Sequence, residues 1–500
     1  MTRRVLSLFL LVLLTVVLLP PLLMGCYHRV ALERYKAALR AAGHLKTLAE
    51  ARPRSLADVV NGGPALTNLA QRLPSLPSAM QPGMAKGLGL PAGTRRVNWA
   101  QPELPSDEQT NLWPDLRVLL GTHAADIAAL RSALEAPVLE FPVRYEDGFR
   151  VLLPHFTKMK VIVQLLSADA ELQLHDGQPE LALADTIAGV HLAARWNREP
   201  ILLSQFMRIA IAKIMVNTTW EVLQFQDWND ADLAALQQAW LELDLPASMD
   251  ATLDFEEAEM VDLLGHLSRK QYAGLFPATS GSEGAGMDSF FEIFKLCCRD
   301  PKEGLNAAWD RYPRWWAFRM WRHYQLEKVA LQRIEAARAS LRAAVEHGAW
   351  LARLREVETN VTRLDGLITW APDFINSGSS YTNLMAKYAG IEAQRSLVLA
   401  AIALERHQHK HGSYPDSLKQ LVPEFLAALP RDPMNGQTLR YRRKDDGSYT
   451  LYSVGRNGED DGGDPTPLGT LSYGENGKDI VWPKAASQAE VDAAHGSFIK

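Results

Sequence analysis

Seven stretches of this chain, residues 116–134, 156–175, 179–196, 201–225, 230–243, 251–267 and 324–354, carry apolar side chains at i, i+3, i+4 and i+7. Coiled at 3.6 residues per turn, each presents one apolar stripe and leaves its opposite side polar. Such stripes are buried by other helices, so the middle of the chain is expected to be a helical array. Boundary chemistry agrees in one clear case. Asn229 or Asp230 can cap the segment that begins D-A-D-L, and Pro246 follows its end.

A second apolar feature bears on location. Arg3 and Arg4 precede a run at residues 5–24 that is apolar almost throughout, about the roughly 20 residues a helix needs to cross a hydrocarbon core. Two readings follow. One is an uncleaved membrane helix; the other is a lipoprotein signal, since Leu23-Met24-Gly25-Cys26 resembles a lipobox in which Cys26 would be lipidated. Pro20 and Pro21 would disturb either helix. Both attach the chain to the cytoplasmic membrane with its bulk on the extracytoplasmic side, and a freely secreted product, the remaining reading, also places the body outside the cytoplasm. The expected divisions are 1–29 for the anchor or signal, 30–115 for a stalk and Pro/Gly-rich loop region, and 116–380 for an irregular helical-hairpin domain. Residues 381–484 form a small C-terminal unit and 485–500 a tail. The many prolines of 52–115 prevent long helices and suggest either extended chain wrapped on a neighbour or a partly ordered linker.

Composition excludes more than it assigns. A formal charge of −5 supplies no basic field to hold nucleic acid. Cys26, Cys297 and Cys298 have neither disulfide-framework nor zinc-site spacing. No phosphate cradle or nucleophile elbow is present. Three constellations could carry chemistry. Glu259, Asp262 and His266 lie at i, i+3 and i+7, so one helical face could offer two carboxylates and an imidazole to a metal or to general acid–base work; a solvated charged face is the alternative. The Trp- and Arg-rich residues 309–325 suit core packing, a membrane interface or a bound glycan or peptide. His407, His409 and His411 cannot converge on one ion, because alternate helical positions diverge, and they suit a helix C-terminus instead.

In the tail, a long helix through residues 385–408 ends at Gly412, H-G-S-Y-P leads to a short helix L-K-Q-L-V-P-E-F-L, and alternating residues flank a turn at Asp445-Asp446-Gly447. An acidic loop follows, and D-I-V-W-P makes a last strand. This order resembles the globular head of the major pseudopilin of type II secretion. The resemblance covers about the last hundred residues and lacks the prepilin N-terminal signature, so a fibre subunit is not implied. It implies an α+β head with a short antiparallel sheet, a role in assembly rather than catalysis, and a calcium ion in the loop at 455–463, where Asp460, Asp461 and Asp464 are the expected ligands. Crowded carboxylates in a tight turn need a cation or full solvation, and irregular oxygen sites suit calcium.

Two further likenesses are weaker. Residues 170–196 resemble one tetratricopeptide-like hairpin with Gly177 at its turn and Ala182 at a packing position, and the sequence L-A-A-R-W-N-R-E-P onward resembles helical envelope proteins of unassigned function. The expectation is therefore a mainly α chain with an N-terminal membrane helix, a large helical-hairpin domain and a small α+β head. It would act as a structural or interaction component of the bacterial envelope, with other envelope proteins as partners. An envelope hydrolase using Glu259, Asp262 and His266, or a glycan- or peptide-binding protein, stands as the alternative.

Overall fold

In the computed structural model, residues 3–54, 56, 58–77, 80, 90–104, 111–267, 321–368, 379–474 and 477–498 are described, with side chains from residue 19 to 494 apart from Pro20, Pro21 and residues 379–380. The fold is mainly helical with a small sheet. The helices are α1 Arg3–Ala41, α2 Leu48–Ala51, α3 Gly63–Leu69, α4 Trp113–Thr122, α5 Ala124–Leu134, α6 His155–His175, α7 Pro179–Arg195, α8 Leu202–Val222, α9 Asp230–Glu242 and α10 Met249–His266. They continue as α11 His323–His347, α12 Trp350–Asp365, α13 Ser379–His411 and α14 Gln488–Phe498. Strands β1 Thr94–Arg95, β2 Arg440–Arg443, β3 Tyr449–Ser453, β4 Ile480–Trp482 and β5 Lys484–Ala485 complete the set.

Helix ends follow local chemistry. Asn229 accepts from the Asp232 N–H while Asp232 returns to the Asn229 N–H, a reciprocal cap that starts α9. Gly177 takes φ +73° between α6 and α7, closing the expected hairpin, and Ala182 is fully buried there. Two expected helices are each divided. Residues 116–134 bend at His123, where φ −109° and ψ 14° separate α4 from α5. Residues 324–354 divide at Gly348, whose φ of +71° ends α11 in a left-handed cap. In the tail, L-K-Q-L-V-P-E-F-L yields only the 3-10 turn Leu418–Leu421, because Pro423 has no N–H and forces Val422 into extended backbone.

One core runs through most of the molecule. It joins Leu66 and Trp113 of the N-terminal third to the α6–α9 helices, to α12 and α13, and to Leu451, Ile480 and Trp482 of the sheet. Residues on both sides of position 380 therefore share a core, and α13 is the spine: it packs on α8, α9 and α12 on one side and on β3 and β4 on the other. The sheet β2-β3-β4 is antiparallel, with Leu451 opposite Tyr441 and Trp482, and Gly447 at φ +81° turns the β2–β3 hairpin as its D-G signal implied.

Where it is described, the Pro-rich segment forms the short helix α3 and a strap at 90–104 that lies against α8. β1 pairs in parallel with β5, the Trp220 indole donates to the Pro483 carbonyl at 2.9 Å, and the Asn98 N–H donates to Glu221 at 2.9 Å. α1 is one uninterrupted helix through Pro20 and Pro21; each proline removes an N–H donor, but its fixed φ is itself helical. Its C-terminal part docks on α11 through Leu32 and Leu39 against Leu331, with Lys36 paired to Glu327. Among the residues whose side chains are described, which excludes 3–18 of α1, no helix is long and apolar enough to cross a membrane.

Candidate functional site

α10 is the element on which the site depends. It lies against α8, α11 and the segment around α2, so each of its faces meets a different partner. Asp254 pairs with Lys46 at 2.6 Å and with Arg338 at 3.0 Å, and Glu257 pairs with Arg338 at 3.4 Å and accepts the Leu45 N–H at 3.1 Å. Arg338 is buried, and these acids balance its charge against the cost of leaving water.

The next face carries Glu256, Glu259, Met260 and Leu263 at i, i+3, i+4 and i+7, and it borders a cavity of about 380 Å³. Phe149 and Leu153 come from the loop after α5, Leu203 and Phe206 from α8, Arg333 from α11 and Tyr381 from α13. The walls are mostly aliphatic and aromatic, with two carboxyls, one guanidinium and one phenol among them. Glu256 accepts from the Leu202 N–H and from the Tyr381 hydroxyl. The first contact satisfies a free donor at the α8 N-terminus, where Ile201 supplies no side-chain cap. Glu259 is 5% exposed and makes no hydrogen bond or ion pair with any described residue.

Burial raises the Glu256 carboxyl to about 7 despite its two donors. Burial first, and then repulsion from Glu256, raise Glu259 to about 8. Arg333 does not relieve them, because its guanidinium is paired with Asp365. Near neutral pH the two carboxyls therefore hold between them at least one proton.

The expected trio is not assembled. His266 Nδ1 lies 3.0 Å from Asp262 Oδ1 on the exposed end of α10, and both border a wide groove lined by Lys36, Arg40, His44 and Arg52. Glu259 points instead into the cavity between α8, α11 and α13. Glu256, which does share that cavity, was not singled out from the sequence. The available signal was its position on the same stripe as Met260 and Leu263, where an apolar residue is expected.

In the acidic loop, the carboxylates already have partners. Arg440 Nε donates to Asp460 at 2.8 Å and the Tyr452 hydroxyl to its other oxygen at 2.8 Å; Lys478 donates to Asp464 at 2.6 Å, and Asn457 to Asp461 at 2.7 Å. These contacts hold Asp460 below the usual carboxylate range and bring Asp464 to about 2. Asp479, at the start of β4, lies beneath the loop. Its carboxyl accepts from the Gly463 N–H at 2.7 Å, through Oδ2, and from the Asp461 N–H, its Oδ1 has no hydrogen-bond partner among the described residues, and burial raises it to about 6. Among the described residues, no three His, Cys, Asp or Glu side chains gather as a metal cluster.

The other candidates are dispersed. His407 and His411 pack ring to ring at 4.4 Å beside Phe425, while His409 borders a separate recess. Cys26 is exposed on α1. Residues 309–320 of the Trp-rich segment, together with Cys297 and Cys298, lie outside the described residues. Comparison with family models, with curated proteins and with solved structures finds no match to this chain.

Proposed function

We propose that this protein is a membrane-attached, extracytoplasmic structural and interaction component of the bacterial envelope, in which α1 is the tether and the pseudopilin-like C-terminal unit is built into the body. The observation that carries the reading is the division of α1. Leu22, Leu23, Met24, Tyr27 and Val30 are exposed, whereas Leu32, Lys36 and Leu39 are buried on α11. An apolar helix that is docked at its C-terminal end and exposed at Leu22–Val30 just before it is suited to insertion in a bilayer, and the sequence of residues 5–24 supplies the length. Sodium carbonate extraction of membranes from cells making the full chain tests this. Retention in the pellet is expected; release into the supernatant overturns the tether. Mass spectrometry of the N-terminus separates the two modes, since a diacylated Cys26 would replace the intact helix.

Calcium in the acidic loop is the second part of the proposal, with Asp460, Asp461 and Asp464 as its ligands. The unpartnered Oδ1 of buried Asp479 favours it, because a cation above that oxygen would satisfy it. Binding would require Arg440 and Lys478 to yield two of their carboxylates. Thermal melting with calcium and with a chelator decides: a calcium-dependent rise lost in Asp461→Ala is expected, and identical curves overturn it.

An acid–base hydrolase is less well supported by the geometry, since Asp262 and His266 face away from the cavity that holds Glu259.

A further inference from the structure

We propose that the cavity between α8, α10, α11 and α13 binds a small ligand made of an apolar body and one ammonium group, with Glu259 as its counter-ion. The proposal concerns a site that neither the tether nor the calcium loop involves.

Glu259 is the observation that demands an explanation. A carboxyl that is 5% exposed and without a partner among the described residues costs free energy to bury in either protonation state, since as an acid it leaves its own O–H unsatisfied and as an anion it lacks a counter-charge. Elsewhere on the same helix, buried acids are paired: Asp254 and Glu257 have Arg338. Glu256 is engaged by the α8 N-terminus and Tyr381. Glu259 alone is left open toward a space of about 380 Å³, at the low end of small-molecule sites, which run to roughly 300–1,000 Å³.

The surroundings select the ligand's chemistry. The cavity offers an anion no counter-charge, since two carboxyls line it and the nearby cation, Arg333, is taken up by Asp365. A hard divalent ion wants about six or more oxygens, whereas the two glutamates find no third acidic or imidazole ligand among the described residues. An ammonium is satisfied by fewer. It donates up to three hydrogen bonds, which the two oxygens of Glu259 and a remaining lone pair of Glu256 can accept. The remaining wall is apolar, and Phe149 and Leu203 stand at its mouth 51% and 55% exposed, so burying a hydrocarbon body there removes apolar surface from both partners.

Isothermal titration of the full chain in phosphatidylcholine nanodiscs tests this with three probes of one shape: phenethylamine, 2-phenylethanol and 3-phenylpropionate. Saturable binding of phenethylamine, at least about tenfold tighter than that of the alcohol, is expected, with no binding of the carboxylate. Glu259→Gln should weaken the amine by about tenfold or more and leave the alcohol unchanged. Asp262→Asn, which removes an exposed carboxylate of the same helix, should change neither. Absence of saturable amine binding, equal affinity for amine and alcohol, or unaltered amine binding in Glu259→Gln overturns the proposal. The three-probe comparison uses the unsubstituted chain, so it stands even if a variant fails to fold.

Discussion

On α10 four carboxyls within six positions meet three different environments, and stability should report the difference. Asp254 and Glu257 share Arg338, Glu256 serves the start of α8, and Glu259 faces a cavity alone. A carboxyl raised to about 8 in the fold and near its ordinary value when unfolded keeps its proton in the native state while the unfolded chain releases it. Native stability therefore falls as pH rises from about 4.5 to about 8, and no such loss occurs below that window. Glu259→Gln, which cannot ionise, should match the parent near pH 4.5 and exceed it by about 3–5 kcal/mol at pH 8 in urea melts without ligand. Glu256→Ala should instead lose about 1–2 kcal/mol, because the α8 N-terminus and the Tyr381 hydroxyl lose their acceptor. From sequence, Glu259 could be named but its neighbours could not. Helical spacing relates it to Asp262 and His266, whereas its cavity is completed by Arg333 and Tyr381, whose approach depends on how α11 and α13 pack.

At the scale of elements, periodicity located the helices and was blind to their breaks. α4 and α5 lie end to end on one apolar pattern, so the change of backbone at His123 leaves no mark in it. Gly348 was a readable stop, and its consequence is larger than a cap. By turning the chain there, it aims the first N–H groups of α12 at the tail: Trp350 donates to the Pro433 carbonyl at 3.0 Å and Leu351 to that of Met434 at 3.1 Å. The tail turn that receives them is held by buried Asp432, which accepts from the Ser453 hydroxyl at 2.7 Å and from the N–H groups of Met434 and Val454. β3 leaves this junction at Gly455, where an added Cβ would sit 1.4 Å from the Lys478 carbonyl oxygen. Backbone cannot yield there as a flexible side chain would. Gly455→Ala should separate β3 from the strand entering β4 and cost upwards of about 2–3 kcal/mol, measurable as a lower melting midpoint with reduced protection of the β3–β4 amides in hydrogen exchange.

For the whole molecule, the sequence suggested units in series, and packing instead folded them into one another. Pro-rich chain carries no periodic signal, so nothing in residues 90–104 announced that Asn98 would reach Glu221 on α8, or that Arg95 would stack 4.9 Å from the Trp220 ring. Nor could two residues of strand be matched with two others near the far terminus, since register at that distance depends on everything between. Removing residues 484–500 deletes β5, its donors to the Gly93 and Arg95 carbonyls, and the buried Val491. That truncation should cost about 2–4 kcal/mol and speed proteolytic cleavage within 90–104 while leaving the α6–α9 array protected. The parallel pairing of β1 with β5 also sets an order on biogenesis. β1 leaves the ribosome long before β5, so a nascent chain keeps the strap over α8 unlatched until Lys484 and Ala485 have emerged. Closure of the strap therefore reports on residues far away in the sequence: a chain that stops before Lys484 leaves the 90–104 segment open to proteases, and one that carries β5 closes over it.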